Sequence, residues 1–165
     1  MAYADSSLLL KLYLREPETP AALAALSNAA GPVIFTPLHR LEIINAIRRN
    51  LASKRIRRGQ ALKALQTLRH DLRSGFYIQP PVDWARVFQR AQRLSRSYAR
   101  KLAVRSLDLL HVAMALEMPH DYLRSIPYQG QGYTLIGLEF RGVEFLTFDD
   151  RQRQAASSEG LDVMP

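Results

Sequence analysis

The chain of 165 residues contains no cysteine, which excludes disulfides, thiolate metal sites and thiol nucleophiles. Long apolar runs are missing too. Leu8–Leu10 is cut short by Lys11, no basic segment precedes it, and Asp5 stands where a secretory leader avoids charge. Neither a membrane span nor a targeting segment is expected, and a soluble cytoplasmic protein is the default. No G-x-G-x-x-G, P-loop, G-x-S-x-G or H-E-x-x-H pattern occurs, which removes the common nucleotide-binding, serine-hydrolase and zinc-protease readings. No repeat or low-complexity tract is visible. Apolar residues are not scarce: at 47% they exclude disorder and suffice for the core of one domain spanning residues 1–165.

Acid is scarce in the middle of the chain. Between Arg48 and Arg73 there are nine Lys or Arg and a single acid, Asp71; between Arg86 and Arg105 there are seven and none. Such a distribution describes either solvated helix faces or a surface for a polyanion, and the arginine count favours the polyanion.

Short apolar runs alternate with helical periodicity. Met1–Ala4, Val33-Ile34-Phe35, Phe76-Tyr77-Ile78, Val143–Leu146 and Leu161–Met164 read as strands. Asp5-Ser6-Ser7 is suited to cap a helix over Leu8–Leu14, and Ala21–Ala29 is a small-residue helix ended by Gly31-Pro32. Thr36-Pro37 opens a helix with Leu38, Leu41, Ile44, Ile47 and Leu51 on one stripe; another runs from Gly59 to Ser74. Further helices are expected over Asp83–Tyr98, Ser106–Glu117 and Asp149–Ala156. Strands separated by helices predict a three-layer α/β/α domain around a central parallel sheet. Pro119–Gly142 is too long for an ordinary connection and reads as an insertion, with Tyr133–Phe140 pairing Val143–Phe148 as a hairpin.

In an open parallel sheet, ligands bind beyond the carboxyl ends of the strands. Asp5, Glu42, Asp108 and Asp149 all fall there. Taken singly, Asp5 and Asp149 are good N-caps and Asp108 complements a helix dipole. Taken together, converging carboxylates repel unless a cation sits among them. Oxygen ligands without cysteine suit Mg²⁺ or Mn²⁺, and such a site performs metal-assisted hydrolysis of a phosphodiester.

Tyr3-Ala4-Asp5-Ser6-Ser7, followed by Leu10-Lys11-Leu12-Tyr13-Leu14-Arg15-Glu16-Pro17, closely resembles the opening of PIN-domain proteins, in particular VapC-type toxins. Leu41-Glu42-Ile43-Ile44-Asn45-Ala46, Ser106-Leu107-Asp108-Leu109-Leu110-His111 and Thr147-Phe148-Asp149 look like the family's later motifs. The resemblance implies a Mg²⁺- or Mn²⁺-dependent endoribonuclease, the toxin of a toxin–antitoxin pair, usually a homodimer neutralised by a small antitoxin. By analogy Asp5 and Asp108 are the leading metal ligands. Glu42 and Asp149 complete the catalytic set, Asp149 being the third ligand candidate, and Ser6 and Thr147 match hydroxyl positions beside the metal. Asp150 is a rival to Asp149, and a binding module of the same fold that does not cut RNA is the alternative reading.

Asn45, one turn beyond Glu42, is a candidate to orient that carboxylate. His111 is expected to be a packed, hydrogen-bonded histidine rather than a ligand. Trp84, Phe88 and Tyr98, at helical spacing, read as core or dimer interface rather than base-stacking groups.

Overall fold

The computed structural model describes residues 1–29, 31–120, 129–130, 133–134 and 142–164. Its order is β1 (Ala2–Ala4), α1 (Ser6–Leu10), α2 (Thr19–Asn28), β2 (Val33–Ile34), α3 (Pro37–Ala52), α4 (Arg58–Ser74), β3 (Tyr77–Ile78) and α5 (Trp84–Leu94). A π-helical turn (Ser95–Ala99), α6 (Arg100–Leu102) and α7 (Ser106–Leu116) follow. The small strands β4 (Gln129–Gly130) and β5 (Tyr133–Thr134) precede β6 (Glu144–Leu146), α8 (Asp150–Ser158) and β7 (Asp162–Met164).

Five strands form one sheet in the order β3-β2-β1-β6-β7, and every pairing in it is parallel. Because side chains alternate along a strand, each strand feeds two cores. Ala2, Ala4, Val33, Phe35, Tyr77 and Leu146 pack with Leu8, Leu9, Ile43, Ile47 and Leu68 of the first helices. Tyr3, Ile34, Ile78 and Phe145 point the other way, into Val87, Leu94, Leu109, Val112 and Met114. The expected three-layer α/β/α sandwich is therefore present. Its strands read as unbroken apolar runs because both faces are covered.

Three local expectations change. The helix predicted over Leu8–Leu14 ends at Leu10; Lys11, Leu12 and Tyr13 then bond three residues back, closing the end as tight turns. The helix from Asp83 does not stop at Tyr98 but passes through the π-helical turn to Leu102, leaving Ala103 at φ 51° before α7. The hairpin between Tyr133–Phe140 and Val143–Phe148 does not form as expected. Both edges of β6 are taken, by β1 and β7, and Tyr133–Thr134 pairs antiparallel with Gln129–Gly130 instead. Residues 135–141 lie outside the described residues.

The strand order has one functional consequence. From β1 the chain winds outward through β2 to β3, then returns to the other side of β1 to lay down β6 and β7. The winding reverses between β1 and β6, and a crevice opens at their carboxyl ends. Asp5 follows β1 and Thr147 follows β6, tied by the Asp5 amide donating to Leu146 O at 3.0 Å.

Candidate active site

Asp5 is the N-cap of α1, with the extended backbone of that position. Its Oδ1 accepts from the Leu8 amide at 2.7 Å and the Ser7 hydroxyl at 2.8 Å, and its Oδ2 accepts from the Thr147 hydroxyl. The carboxylate is buried, and both of its oxygens are engaged.

Thr147 links three elements. Besides Asp5, its Oγ1 lies 2.7 Å from Gln152 Oε1 and accepts from the Asp149 amide at 3.0 Å. Gln152, buried in α8, donates through Nε2 to the Asp108 carbonyl at 3.1 Å. The segments bearing Asp5, Asp108 and Asp149 thus meet around Thr147 and Gln152, with the one Thr147 hydroxyl proton facing both Asp5 Oδ2 and Gln152 Oε1. Sequence reasoning passed over Gln152; its only signal was a polar residue on the inner face of a short helix, three positions after an N-cap aspartate.

Asp149 caps α8, its Oδ1 accepting from the Arg151 and Gln152 amides, both at 2.9 Å. Asp108 stands in the first turn of α7 and accepts the Arg105 amide on Oδ2 at 3.2 Å. Each carboxylate spends one oxygen on a helix terminus, and its other oxygen makes no hydrogen bond among the described residues. The cap and site readings of these acids are therefore compatible. Both line an open polar cleft with Arg105, Phe148, Asp150 and Arg151. Burial, reinforced by the nearby charge of Asp149, pushes the Asp108 carboxyl above the usual aspartate range. Asp150 lies on the rim of the cleft, strongly exposed, and pairs with Arg153 at 3.1 Å.

Glu42 stands in the second turn of α3. Its Oε2 accepts from the Ser6 hydroxyl at 2.7 Å and lies 2.6 Å from His111 Nε2. On the far side of the imidazole, the Tyr3 hydroxyl is 2.8 Å from Nδ1. Burial holds the Tyr3 phenol well above its usual range, so it stays protonated beside Nδ1, and the imidazole bridges Tyr3 and Glu42. Burial alone would raise the Glu42 carboxyl, but His111 and Ser6 outweigh it and leave Glu42 below the usual glutamate range. His111 is thus the packed, hydrogen-bonded histidine expected, and it also orients Glu42. Asn45, the candidate for that role, is exposed and is not a partner of Glu42. One helical turn brings its Cα alongside, but its side chain points to solvent.

A second histidine, unmarked in the sequence reading, is wholly buried beside the site. His39 Nδ1 accepts from the Thr36 amide at 2.9 Å, and Nε2–H donates to Ala4 O, the carbonyl preceding Asp5, at 2.8 Å. Burial, with the neighbouring His111, holds it neutral, well below the usual histidine range. Its signal was the Thr36-x-x-His39 spacing of a capping box.

Trp84 and Phe88 are not core: they sit side by side on the outer face of α5, ring centroids 6.2 Å apart, and both are exposed. Tyr98 packs against the core and donates to Glu159 at 2.9 Å.

Among the described residues, no three His, Asp or Glu side chains come together as a ready metal cage. The donor chemistry nonetheless fits a hard cation. Asp108 and Asp149 are like charges on one cleft, each with a spare oxygen. Mg²⁺ commonly takes one or two carboxylates and completes its shell with water and phosphate oxygens.

The cleft at the carboxyl edge of this parallel sheet is lined by the carboxylates of Asp108 in α7 and Asp149 after β6, while Asp5 is buried after β1 and Glu42 is bound to Ser6 and His111. The PIN domain family matches residues 2–121 of this sequence, most of the chain, and the protein belongs to that family. The matched span carries Asp5, Glu42 and Asp108 but stops short of Asp149. Among solved structures, FitAcB from Neisseria gonorrhoeae is similar over 100% of this chain and 97% of its own, with a TM-score of 0.57 and 14% identity, a likeness of fold. No characterised protein matches the sequence itself. No helix among the described residues is long and apolar enough to cross a membrane.

Proposed function

We propose that the protein is a metal-dependent endoribonuclease, acting as the toxin of a toxin–antitoxin pair. The observation that carries this reading is the pair Asp108 and Asp149, two carboxylates facing one cleft with the charge of one raising the pKa of the other. Asp5, Asp108 and Asp149 are the ligands we assign to Mg²⁺ or Mn²⁺. When bound, such an ion neutralises phosphodiester charge and acidifies water. The reaction is hydrolysis: water adds to phosphorus, the bond to the 3′ oxygen breaks, and the products are a 5′-phosphate and a 3′-hydroxyl. Glu42, held ionised by His111 and Ser6, accepts the proton from the attacking water. Arg105 and Arg151 flank the cleft and hold the phosphate against its acids.

The proposed partners are RNA, a small antitoxin protein covering the cleft, and a second copy of the chain. The exposed Trp84–Phe88 pair suits a homodimer contact. A PIN-fold module that binds RNA without cutting it is the second reading. It is favoured by Asp5, whose oxygens are already occupied by Leu8, Ser7 and Thr147.

The deciding experiment incubates the pure protein with structured RNA and Mn²⁺, with and without EDTA, alongside Asp108→Asn. Cleavage that needs metal and vanishes in the variant is expected. RNA bound but left whole in Mn²⁺ would establish the second reading instead. In cells, the wild type should arrest growth and Asp108→Asn should not.

A further inference from the structure

The two basic stretches differ once side chains are placed. In the second, Arg86 and Arg90 are tied to Glu117 at 3.2 and 2.8 Å, and Arg90 also reaches Glu159 at 4.0 Å, while Arg93, Arg96, Arg100, Lys101 and Arg105 are exposed and make no ion pair among the described residues. In the first, none of the nine cations makes an ion pair among the described residues, and all are exposed. Asp71, its only acid, takes a hydrogen bond from the Tyr13 hydroxyl at 3.0 Å. These cations lie along the α3–α4 hairpin and crowd its tip, where Arg48, Arg49, Lys54, Arg55, Arg57 and Arg58 follow closely in sequence.

The tip holds this charge against local preference. Lys54 adopts φ 57°, a left-handed conformation that favours glycine. Arg57 occupies the N-cap of α4, where its side chain makes no capping bond and where serine, threonine, asparagine or aspartate would do better. Arg58 adds positive charge to the positive pole of that helix, whose first turn has no acid. Solubility does not require cations at these particular positions, and a run of broken local rules marks a site kept for function.

The placement suits a polymer that extends past Glu42. Glu42 sits in the second turn of α3 and Ala52 at its end, so at 1.5 Å per residue the tip stands about 15 Å beyond Glu42 along the helix axis. We propose that the α3–α4 tip is a docking surface for the phosphate backbone of RNA, holding the strand outside the cleft. The inference rests on the reading of RNA as substrate, but it concerns binding and needs neither metal nor cleavage.

The test measures fluorescence anisotropy of a labelled oligouridylate in EDTA over a range of salt. The tip variant is Arg55→Gln, Arg57→Gln and Arg58→Gln together; a control with the same charge change is Arg93→Gln, Arg96→Gln and Arg100→Gln. Each phosphate contact contributes about 0.7 to the slope of log K against log salt. The tip variant is therefore expected to lose about 2 in slope and about a hundredfold in affinity at about 0.1 M salt. The control loses little, and thermal midpoints of both variants match the wild type or exceed it.

Equal losses in the two variants would show a general charge effect and overturn the proposal. So would a marked fall in the tip variant's melting temperature, which would assign the arginines to stability. Tighter binding of the matching oligodeoxythymidylate, or displacement by polyglutamate as efficient as by unlabelled oligouridylate, would point to DNA or an acidic protein instead. RNA held at the tip in EDTA but never cut in Mn²⁺ would refute the nuclease reading and leave this one standing.

Discussion

Mild acid is expected to loosen this protein through His39, before its ordinary carboxylates titrate. In the folded state both ring nitrogens of His39 are committed: Nδ1 accepts from the Thr36 amide and Nε2–H donates to Ala4 O. A second proton would have to replace the lone pair that Thr36 N–H occupies, inside a fully buried pocket beside His111. The folded protein therefore refuses a proton that the unfolded chain accepts near pH 6.5. Stability is flat above that pH and falls below it by about 1.4 kcal/mol per pH unit, until the depressed folded pKa is reached. From pH 7 to pH 5 the loss reaches at most about 2 kcal/mol. With a urea m-value of about 2 kcal/mol/M for a domain of this size, the unfolding midpoint moves down by up to about 1 M. His39→Gln keeps one acceptor and one donor without the titration, so it lowers stability at neutral pH through lost ring packing but flattens the pH dependence. Asp108, whose carboxyl is raised by burial and by Asp149, acts in the opposite sense toward lower pH; repeating the series in Asp108→Asn removes that contribution. An unchanged midpoint between pH 7 and pH 5, or the same loss in His39→Gln, would refute the argument.

Three further outcomes follow from the site. Asp108→Asn should abolish metal-dependent cleavage yet raise the thermal midpoint at neutral pH, because a carboxyl whose folded pKa is raised destabilises the fold while ionised; calorimetry and cleavage on one preparation check both. Thr147→Val strips the hydroxyl shared by Asp5, Gln152 and the Asp149 amide, at a cost of about 1–3 kcal/mol for the buried groups left unpaired, whereas Thr147→Ser restores most of it in urea unfolding. Gln152→Leu fits the volume but removes the Nε2–H bond to the Asp108 carbonyl and the Oε1 contact with Thr147, while Thr147 keeps Asp5 and the Asp149 amide, so a loss of about 0.5–1.5 kcal/mol is expected. A variant as stable as wild type would show that the amide carries no weight there.

Much of the fold could be read from the chain. The five short apolar runs became the five strands of the parallel sheet, and Thr36-Pro37 opened α3 as expected. Gly75, at φ 79°, closed α4. These features depend on neighbours in sequence: a 2-residue or 3.6-residue repeat of apolar side chains, a cap, a residue free to turn left-handed. The positions of Asp5, Glu42, Asp108 and Asp149 at strand ends and helix starts were legible for the same reason, since caps and dipoles act within one turn. Where local signals misled, tertiary partners had intervened. The insertion's Tyr133 could not reach β6 because β1 and β7 already held both edges, and Asn45 lost Glu42 to partners outside its helix.

Only the tertiary structure decided which side chains meet. Tyr3, His111 and Glu42 form one hydrogen-bond relay although its central His111 lies 108 positions from Tyr3 and 69 from Glu42. Asp5 and Thr147 lie 142 positions apart and meet because β1 and β6 are adjacent at the point where the winding reverses. No periodicity encodes such pairings: they exist once the sheet order is chosen, and that order is set by which apolar faces bury one another across the whole domain. Composition announced an excess of arginine, but which arginines go unpaired depended on where Glu117 and Glu159 came to rest. The chain alone determined its elements and the kinds of group at their ends, because those follow from short-range sterics and burial. Folding determined the partners, because hydrogen bonds and ion pairs act over a few ångströms in space, whatever their distance in sequence.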